Sequence, residues 1–242
     1  MVNFELIAFP DDRALAQAVG QAWLEEIAAQ SGRGEHYCVA LSGGRIAKAF
    51  FSAVAGATSA SEGLLRSVHF FWGDERLVPP DDAESNFRVA QELLLKPLRI
   101  EEAQIHRLRG EASIESAVAE AEVELCRLAP LNEDSQPVLD LILLGMGEDG
   151  HVASLFPGES ETLMASKSVY RAVMASKPPP CRITLGYPTI AAARRVWVLV
   201  SGAGKEAALR ESLRPEGQTP LARVLRSRPT TKIFTDIRLG GG

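Results

Sequence analysis

Apolar positions along the chain follow two alternating rhythms. Behind Asp11 and Asp12, the residues Leu15, Val19, Trp23 and Ile27 recur every fourth position. That spacing predicts an amphipathic helix whose acidic start meets the positive end of its own dipole. The turn-prone Ser31-Gly32-Arg33-Gly34 closes it, and Tyr37-Cys38-Val39-Ala40-Leu41 follows as an unbroken apolar run, the mark of a strand covered on both faces. The same grammar predicts a helix from Ile46 to Val54, a strand from Val68 to Trp72, a helix capped by Ser85 and running to about Leu95, and a long helix from Ser113 to Leu128. Leu139 to Leu144 is the clearest buried strand. Further strands are expected at Ile183 to Leu185, Val196 to Val200 and Lys232 to Phe234, with a helix from about Lys205 to Leu213. Strands that are apolar runs rather than in/out alternations, separated by helices, predict an α/β fold with a mostly parallel sheet covered on both faces. Lys177-Pro178-Pro179-Pro180 reads as a loop and Gly240-Gly241-Gly242 as a frayed tail.

Composition narrows the class. The 242 residues suffice for a large core and fit one α/β domain, 1–242, with room for at most a small subdomain. A hydrophobic fraction of 46% and a charged fraction of 24% are those of ordinary globular proteins and argue against disorder. No apolar run approaches the roughly 20 residues a bilayer span needs, and Met1-Val2-Asn3-Phe4-Glu5 lacks the basic start of a signal peptide, so a cytoplasmic location without membrane association is expected. Cys38, Cys126 and Cys181 are far apart, odd in number and form no C-x-x-C pair, which argues against a disulfide framework and a zinc site. A net charge of −5 with no extended basic block argues against nucleic acid and for a small-molecule partner.

In a parallel sheet, ligands bind beyond the carboxyl ends of the strands, so the loops leaving strands for helices carry the chemistry. Three stand out. Leu41-Ser42-Gly43-Gly44-Arg45 lets backbone approach a ligand at a helix start, where N–H groups suit a phosphate; a tight turn without a ligand would read the same way. Phe71-Trp72-Gly73-Asp74-Glu75-Arg76 ends a strand in three adjacent charges, which fit a solvated turn or, with Glu84-Ser85-Asn86 behind them, a placed constellation. Gly145-Met146-Gly147-Glu148-Asp149-Gly150-His151 puts three glycines within six residues and delivers a histidine where a new helix is expected to begin. Glycines cost about 0.5–1 kcal/mol each where regular structure would otherwise form, so the cluster implies a backbone path that side chains would block. An imidazole, with an ordinary pKa of about 6.5, is there available as a neutral base. His36, His69 and His106 have no such setting and read as structural or surface residues.

These segments resemble the 6-phosphogluconolactonase family. Ser42-Gly43-Gly44, Trp72 to Pro79 with Ser85-Asn86, and above all Gly145 to Pro157 carry the likeness, and it continues in order through Arg182-Ile183-Thr184-Leu185 to Gly202-Ala203-Gly204-Lys205. The resemblance implies a Rossmann-like three-layer α/β/α sandwich, shared with glucosamine-6-phosphate deaminase and more distantly with ribose-5-phosphate isomerase. It implies hydrolysis of 6-phospho-D-glucono-1,5-lactone to 6-phospho-D-gluconate in the oxidative pentose phosphate pathway, with no metal and no organic cofactor. His151 then matches the general base, and Asp74 and Arg76 match residues beside the lactone carbonyl, with Arg76 facing the oxyanion. Ser42, Gly43 and Gly44 are expected to cradle the phosphate, Arg182 and Lys205 to anchor it by likeness to the sister deaminases, and Arg45, Asp149 and Gly150 to complete the substrate pocket. Many relatives continue the glycine turn with Ser/Thr and Pro, whereas Arg45-Ile46-Ala47 stands here; Arg45 either replaces the lost hydroxyl donors or faces solvent.

Two rival readings share the fold. Glucosamine-6-phosphate deaminases tend to follow the Gly-x-Asp-Gly-His core with a Phe-Asn-Glu-Pro type sequence and carry Tyr after the Asp-Glu pair. Here Ser154-Leu155-Phe156-Pro157 and Arg76 occupy those places, and both departures favour the lactonase. A non-catalytic sugar-phosphate sensor would be expected to add a DNA-binding segment, for which these residues leave no room. Oligomeric state stays open between monomer and homodimer.

Overall fold

Asp11 caps the first helix by accepting the Ala14 N–H at 2.8 Å, and the chain then alternates strand and helix as the apolar rhythm demands. The computed structural model describes residues 4–30, 36–57 and 63–239; the turn expected at 31–34 and the tail expected at 240–242 lie outside the described residues. In chain order the elements begin with β1 (Phe4–Ala8), α1 (Asp12–Gln30), β2 (Tyr37–Leu41), α2 (Arg45–Ala57), β3 (Val68–Trp72), β4 (Asp74–Arg76) and α3 (Asn86–Ala90). They continue with α4 (Ile114–Leu128), β5 (Leu141–Gly145), α5 (Glu161–Met164), β6 (Tyr170–Met174), β7 (Cys181–Leu185), α6 (Tyr187–Ala192), β8 (Arg195–Val200), α7 (Glu206–Leu213), α8 (Pro220–Arg226) and β9 (Thr231–Thr235).

Six strands form one parallel sheet in the order β1-β9-β8-β5-β2-β3. All five residues of β2 are buried, as its apolar run requires. On one face α1 packs against α2 with Gly20 against Val54. Trp23 meets Phe50 at 5.7 Å and Phe70 edge-on at 6.3 Å, so helices and sheet share one core. Burial of each such side chain stabilises the fold by about 1.5–3 kcal/mol before entropy is charged against it. No helix among the described residues is long and apolar enough to cross a membrane.

A second, antiparallel sheet, β4-β7-β6, departs from expectation. The strand predicted at Ile183 to Leu185 belongs to it rather than to the parallel sheet. Charged residues interrupt its strands, Asp74 to Arg76 in β4, Arg171 in β6 and Arg182 in β7, so no long apolar run marks it. It leaves the large sheet at Gly73, whose carbonyl accepts the Leu185 N–H at 2.8 Å, and it is tied back by the Tyr170 hydroxyl donating to Trp72 O at 2.9 Å. Two helix expectations are also corrected. The helix capped by Ser85 widens after Ala90 into a π turn over Gln91–Leu95. No helix begins at His151; residues 151–158 form turns, closed by the Met146–Val152 and Val152–Leu155 bridges.

At the open edge of the parallel sheet, three histidines read as structural or surface residues form a ladder. His69 on β3 lies 2.8 Å from His106 (Nδ1 to Nε2), and His106 Nδ1 lies 2.8 Å from Glu124, which pairs with Arg127 at 2.6 Å. Glu124 accepts from Nδ1–H of His106, leaving Nε2 to accept from His69. The His36 ring stands edge-on to His69 at 4.3 Å. Burial, with the nearby rings of His36 and His106, pushes the His69 pKa down to about 4. Between about pH 6.5 and 4 the unfolded chain therefore binds more protons at this position than the folded one, so stability is lost as pH is lowered through that window. The melting temperature should drop as pH is lowered from 7 to 5, and His69→Gln should flatten the slope; a slope unchanged by the substitution would place the acid lability elsewhere.

Candidate active site

The strand order reverses between β2 and β5: the chain leaves β2 for β3 on one side, and β5 leads to β8 and β9 on the other. A crevice opens at the carboxyl ends of strands where connections diverge in this way. The β2–β5 pairing runs through Val39↔Leu141 and Ala40↔Ile142, beyond which the loops 42–44 and 146–151 emerge. They run close together, since a Cβ on Gly145 would lie 3.6 Å from Gly43 O. Helix α2 starts at Arg45, so the N–H groups of its first turn face this crevice without intrahelical partners. Ser42 is 8% exposed, and its Oγ is buried without a hydrogen-bond partner among the described residues. Such a group costs about 1–3 kcal/mol unless a ligand or water satisfies it.

Strand alternation sorts the three charges that end β3. On β4, Asp74 and Arg76 point to the crevice and Glu75 points away. Glu75 is 2% exposed and accepts from the N–H groups of Arg76, Asn86 and Phe87 at 2.7–2.8 Å and from the Ser85 hydroxyl at 3.1 Å. Burial raises its pKa, and the backbone donors of Asn86, Phe87 and Arg76 work against that rise. This carboxylate fixes the start of α3 and with it Asn86, whose amide donates to Asp74 O at 2.9 Å. Asn86 occupies the space a side chain at residue 43 would need: a Cβ there would sit 1.9 Å from its Oδ1. Asp74 in turn accepts from the Ser154 hydroxyl at 2.7 Å. Arg76 is tethered to Glu84, with Nη1 donating to the backbone carbonyl at 2.5 Å, and its buried Nε has no partner among the described residues.

His151 is set by the glycine turn. Gly147 N–H donates to His151 O at 2.9 Å, Gly150 N–H donates to Gly147 O at 3.1 Å, and Asp149 Oδ1 lies 2.5 Å from His151 Nδ1. Burial works to raise the Asp149 pKa, but the hydrogen bond and charge of His151 outweigh it and leave the carboxyl below its ordinary value. The Phe156 ring lies 4.9 Å from the imidazole on one side, and the Arg182 guanidinium lies 5.5 Å over that same ring. Arg182 is also held by Pro179 O at 3.1 Å, and its pKa is lowered by burial and then by Arg76, its cross-strand neighbour. Lys205 ends the 3-10 turn Ala203–Lys205 that precedes α7; burial and the nearby Arg45 lower its pKa.

Nine of the eleven residues expected at the site line one cleft of about 110 Å³: Ser42, Gly43, Gly44, Arg45, Asp74, Arg76, His151, Arg182 and Lys205. Asp149 and Gly150, expected against the substrate, are not on its wall. Asp149 stands behind the imidazole, and Gly150, at φ +81, packs on Thr219, where a Cβ would lie 2.6 Å from side-chain atoms. Asn86 and Ser154 were not singled out in the sequence. The Ser-Asn pair after the acidic triplet gave a hint of the first, and nothing local marks the second, because its partner lies 80 residues away. Volume does not mark the site: a cleft of about 620 Å³ between α4 and β6 is walled by side chains such as Ile114, Val118 and Ala172 and contains no histidine and no glycine turn.

Sheet order and cleft define a Rossmann-like three-layer α/β sandwich with a cation-lined cleft at its topological switch point. The family model for glucosamine-6-phosphate isomerases/6-phosphogluconolactonase matches residues 10–233, and the chain belongs to this family. The chain is 38% identical over 206 residues to a 6-phosphogluconolactonase of Mycobacterium tuberculosis, covering 81% of each chain. It is 33% identical over 221 residues to one of Streptomyces coelicolor, covering 88% of this chain and 84% of that one. Among solved structures, the 6-phosphogluconolactonase of Trypanosoma brucei matches with a TM-score of 0.81 and 30% identity, covering 97% of this chain and 95% of that one.

Gly147 is the position on which the imidazole's placement turns. A Cβ there would lie 2.1 Å from ring atoms Nδ1 and Cε1 of His151 and 2.7 Å from Asp149 Oδ1, so Gly147→Ala should drive the ring off its carboxylate. Loss of the downfield Nδ1–H proton resonance and a drop of at least tenfold in kcat, in a protein that still melts cooperatively, are the expected outcome. A retained resonance would show that the turn absorbs the methyl group.

Proposed function

We propose that this chain hydrolyses 6-phospho-D-glucono-1,5-lactone to 6-phospho-D-gluconate, with His151 as the general base. The observation that carries the reading is the convergence of an Asp149-oriented imidazole and four basic side chains on one cleft. Family membership supports the substrate class. Asp149 accepts from Nδ1–H of His151, which leaves the Nε2 lone pair for a proton from water. The hydroxide so generated attacks C1 of the lactone, and the charge that develops on the carbonyl oxygen faces Arg76, whose buried Nε lacks another partner among the described residues. Asp74, held by Ser154 and Asn86, offers an acceptor beside the same carbon. Collapse breaks the bond from C1 to the ring oxygen, and the imidazolium returns its proton to that oxygen, so lactone and water become the open acid with no group left over.

The phosphate end is assigned to Ser42, Gly43, Gly44 and the start of α2, with Arg182 and Lys205 as cationic anchors. Charge-assisted contacts contribute about 1.5–3 kcal/mol each, which suffices to hold the substrate through a group remote from the chemistry. The two departures from the deaminase pattern, Arg76 and Ser154-Leu155-Phe156-Pro157, favour hydrolysis over deamination.

A pH-stat measurement on freshly prepared lactone should register acid release above the spontaneous rate, while glucosamine 6-phosphate should release no ammonia; the reverse pattern would move the chain to the deaminase side of the family. His151→Ala should lower kcat by at least a hundredfold without unfolding the protein. Lys205→Ala should act mainly on KM. Near-normal turnover of the first variant would remove the imidazole from the mechanism, and an unmoved KM in the second would place the phosphate elsewhere.

A further inference from the structure

The start of α2, where the glycine turn ends, carries Arg45. Arg45 extends across the crevice from the β2 side to the β8 side, where Nη2 donates to Ser201 O at 3.3 Å. Room for it is reserved: Gly202 adopts φ +104, and a Cβ there would lie 2.6 Å from Arg45 Nη2. The receiving turn is itself pinned, because Asp236 accepts from the Ser201 hydroxyl at 2.7 Å and from the Gly202 N–H at 3.0 Å. Both Asp236 oxygens are thereby used on neutral donors. Lys205 shares this end of the cleft closely enough for Arg45 to disfavour its charge, with Glu148 and Asp236 as the opposing acids. Around the cleft as a whole, Arg45, Lys205, Arg76 and Arg182 face one carboxylate, Asp74, together with the imidazole of His151. Two cations that line one cleft with a buried Ser42 hydroxyl lacking a partner among the described residues make a place for an anion of more than one charge.

We infer that Arg45, paired with Lys205, is a specificity-determining residue that makes the cleft select a doubly charged phosphate over a singly charged or neutral group. The inference rests on the reading that the phosphate end of the substrate binds at the Ser42–Gly44 turn. A phosphate monoester passes from one negative charge to two near pH 6, so the cation pair gains most from the ligand above that pH. A guanidinium presents its donors in a fixed fork, which suits a phosphate bound on one edge while the other edge is tied to Ser201 O.

The test uses the intact protein and inorganic phosphate as probe. Calorimetric titration should give a Kd at least tenfold weaker for Arg45→Ala than for the natural chain, with partial recovery in Arg45→Lys. Affinity in the natural chain should rise as pH climbs through the second ionisation of phosphate, and the rise should be shallower in Arg45→Ala. The ratio of kcat/KM for the phosphorylated lactone to that for its unphosphorylated counterpart should fall at least tenfold. If Arg45→Ala fails to fold, Arg45→Gln, which removes the charge and keeps a donor for Ser201 O, is held to the same three results. Unchanged phosphate affinity and an unchanged ratio, with a lowered melting temperature, would make Arg45 a strut between two loops and overturn the inference. Arg45-dependent phosphate binding in a protein without lactonase activity would sink the proposed reaction and leave this inference standing. Lactonase activity with phosphate affinity indifferent to Arg45 would do the opposite.

Discussion

Asp74, 5% exposed, sits at the centre of a buried polar chain on which the shape of the cleft depends. Glu75 gathers three backbone N–H groups and a hydroxyl, and so fixes Asn86. Asn86 props the Gly43 turn and donates to Asp74, Asp74 accepts from Ser154, and the Ser154 N–H donates to Thr184 on β7 at 3.2 Å. Five separate segments are thereby joined without an exposed ion pair. In a low-dielectric setting each of these bonds is stronger than in water, and each unsatisfied partner would be correspondingly costly, so the chain holds as a unit or not at all. The glycines at 43 and 147 belong to the same logic. They are clearances cut for Asn86 and His151, and the side chains they admit leave little freedom to the loops that carry them.

Cleft and sheet are related by topology rather than by local preference. Divergence of the chain at β2 and β5 forces two loops apart at one place, and both glycine turns leave from those strands. The antiparallel sheet then brings Asp74, Arg76 and Arg182 to the same place from the opposite side, since Arg76 and Arg182 are register partners. Repulsion between those two guanidinium groups is tolerated because Glu84 holds one, while backbone carbonyls and the Phe156 ring hold the other.

Much of this was legible in the sequence, for identifiable reasons. Buried parallel strands are apolar runs, so β2, β3, β5 and β8 stood out, and Ser85 caps its helix as its position suggests. The edge strand β1, the buried three-residue β4 and the partly exposed β6 did not, because they are short and interrupted by charge. The glycine turn announced His151 but not the absence of a helix behind it; the bridge from Val152 to Met146 consumes the backbone groups that a helix start would have used. Asp149 and Gly150 share the motif of His151 but not its place on the cleft wall. Their distinct tasks, one behind the ring and one against Thr219, follow from a φ value and a packing partner that no local pattern encodes.

The two sheets divide the work of the site in a way that bears on its energetics. Loops of the parallel sheet, from β2 and β8, supply most of the groups assigned to the anion; the antiparallel sheet adds Arg182 to them and supplies Asp74 and Arg76, assigned to the carbonyl, with His151 at the seam. Contacts to a remote phosphate are equally good in ground and transition states, so by themselves they lower KM without raising kcat. They help the chemistry only if anchoring one end fixes the other against the imidazole, which requires the two sheets to keep their relation while substrate is bound. Gly73 is where that requirement is met: its N–H donates to Leu41 O at 2.7 Å in the large sheet, and its carbonyl accepts from Leu185 in the small one. A Cβ at this residue would fall 3.2 Å from Ser42 Oγ, so the joint between the sheets also adjoins the Ser42 turn. On the proposed reading, this joint, with the Tyr170 hydroxyl on Trp72 O beside it, is what would convert phosphate affinity into orientation of the lactone.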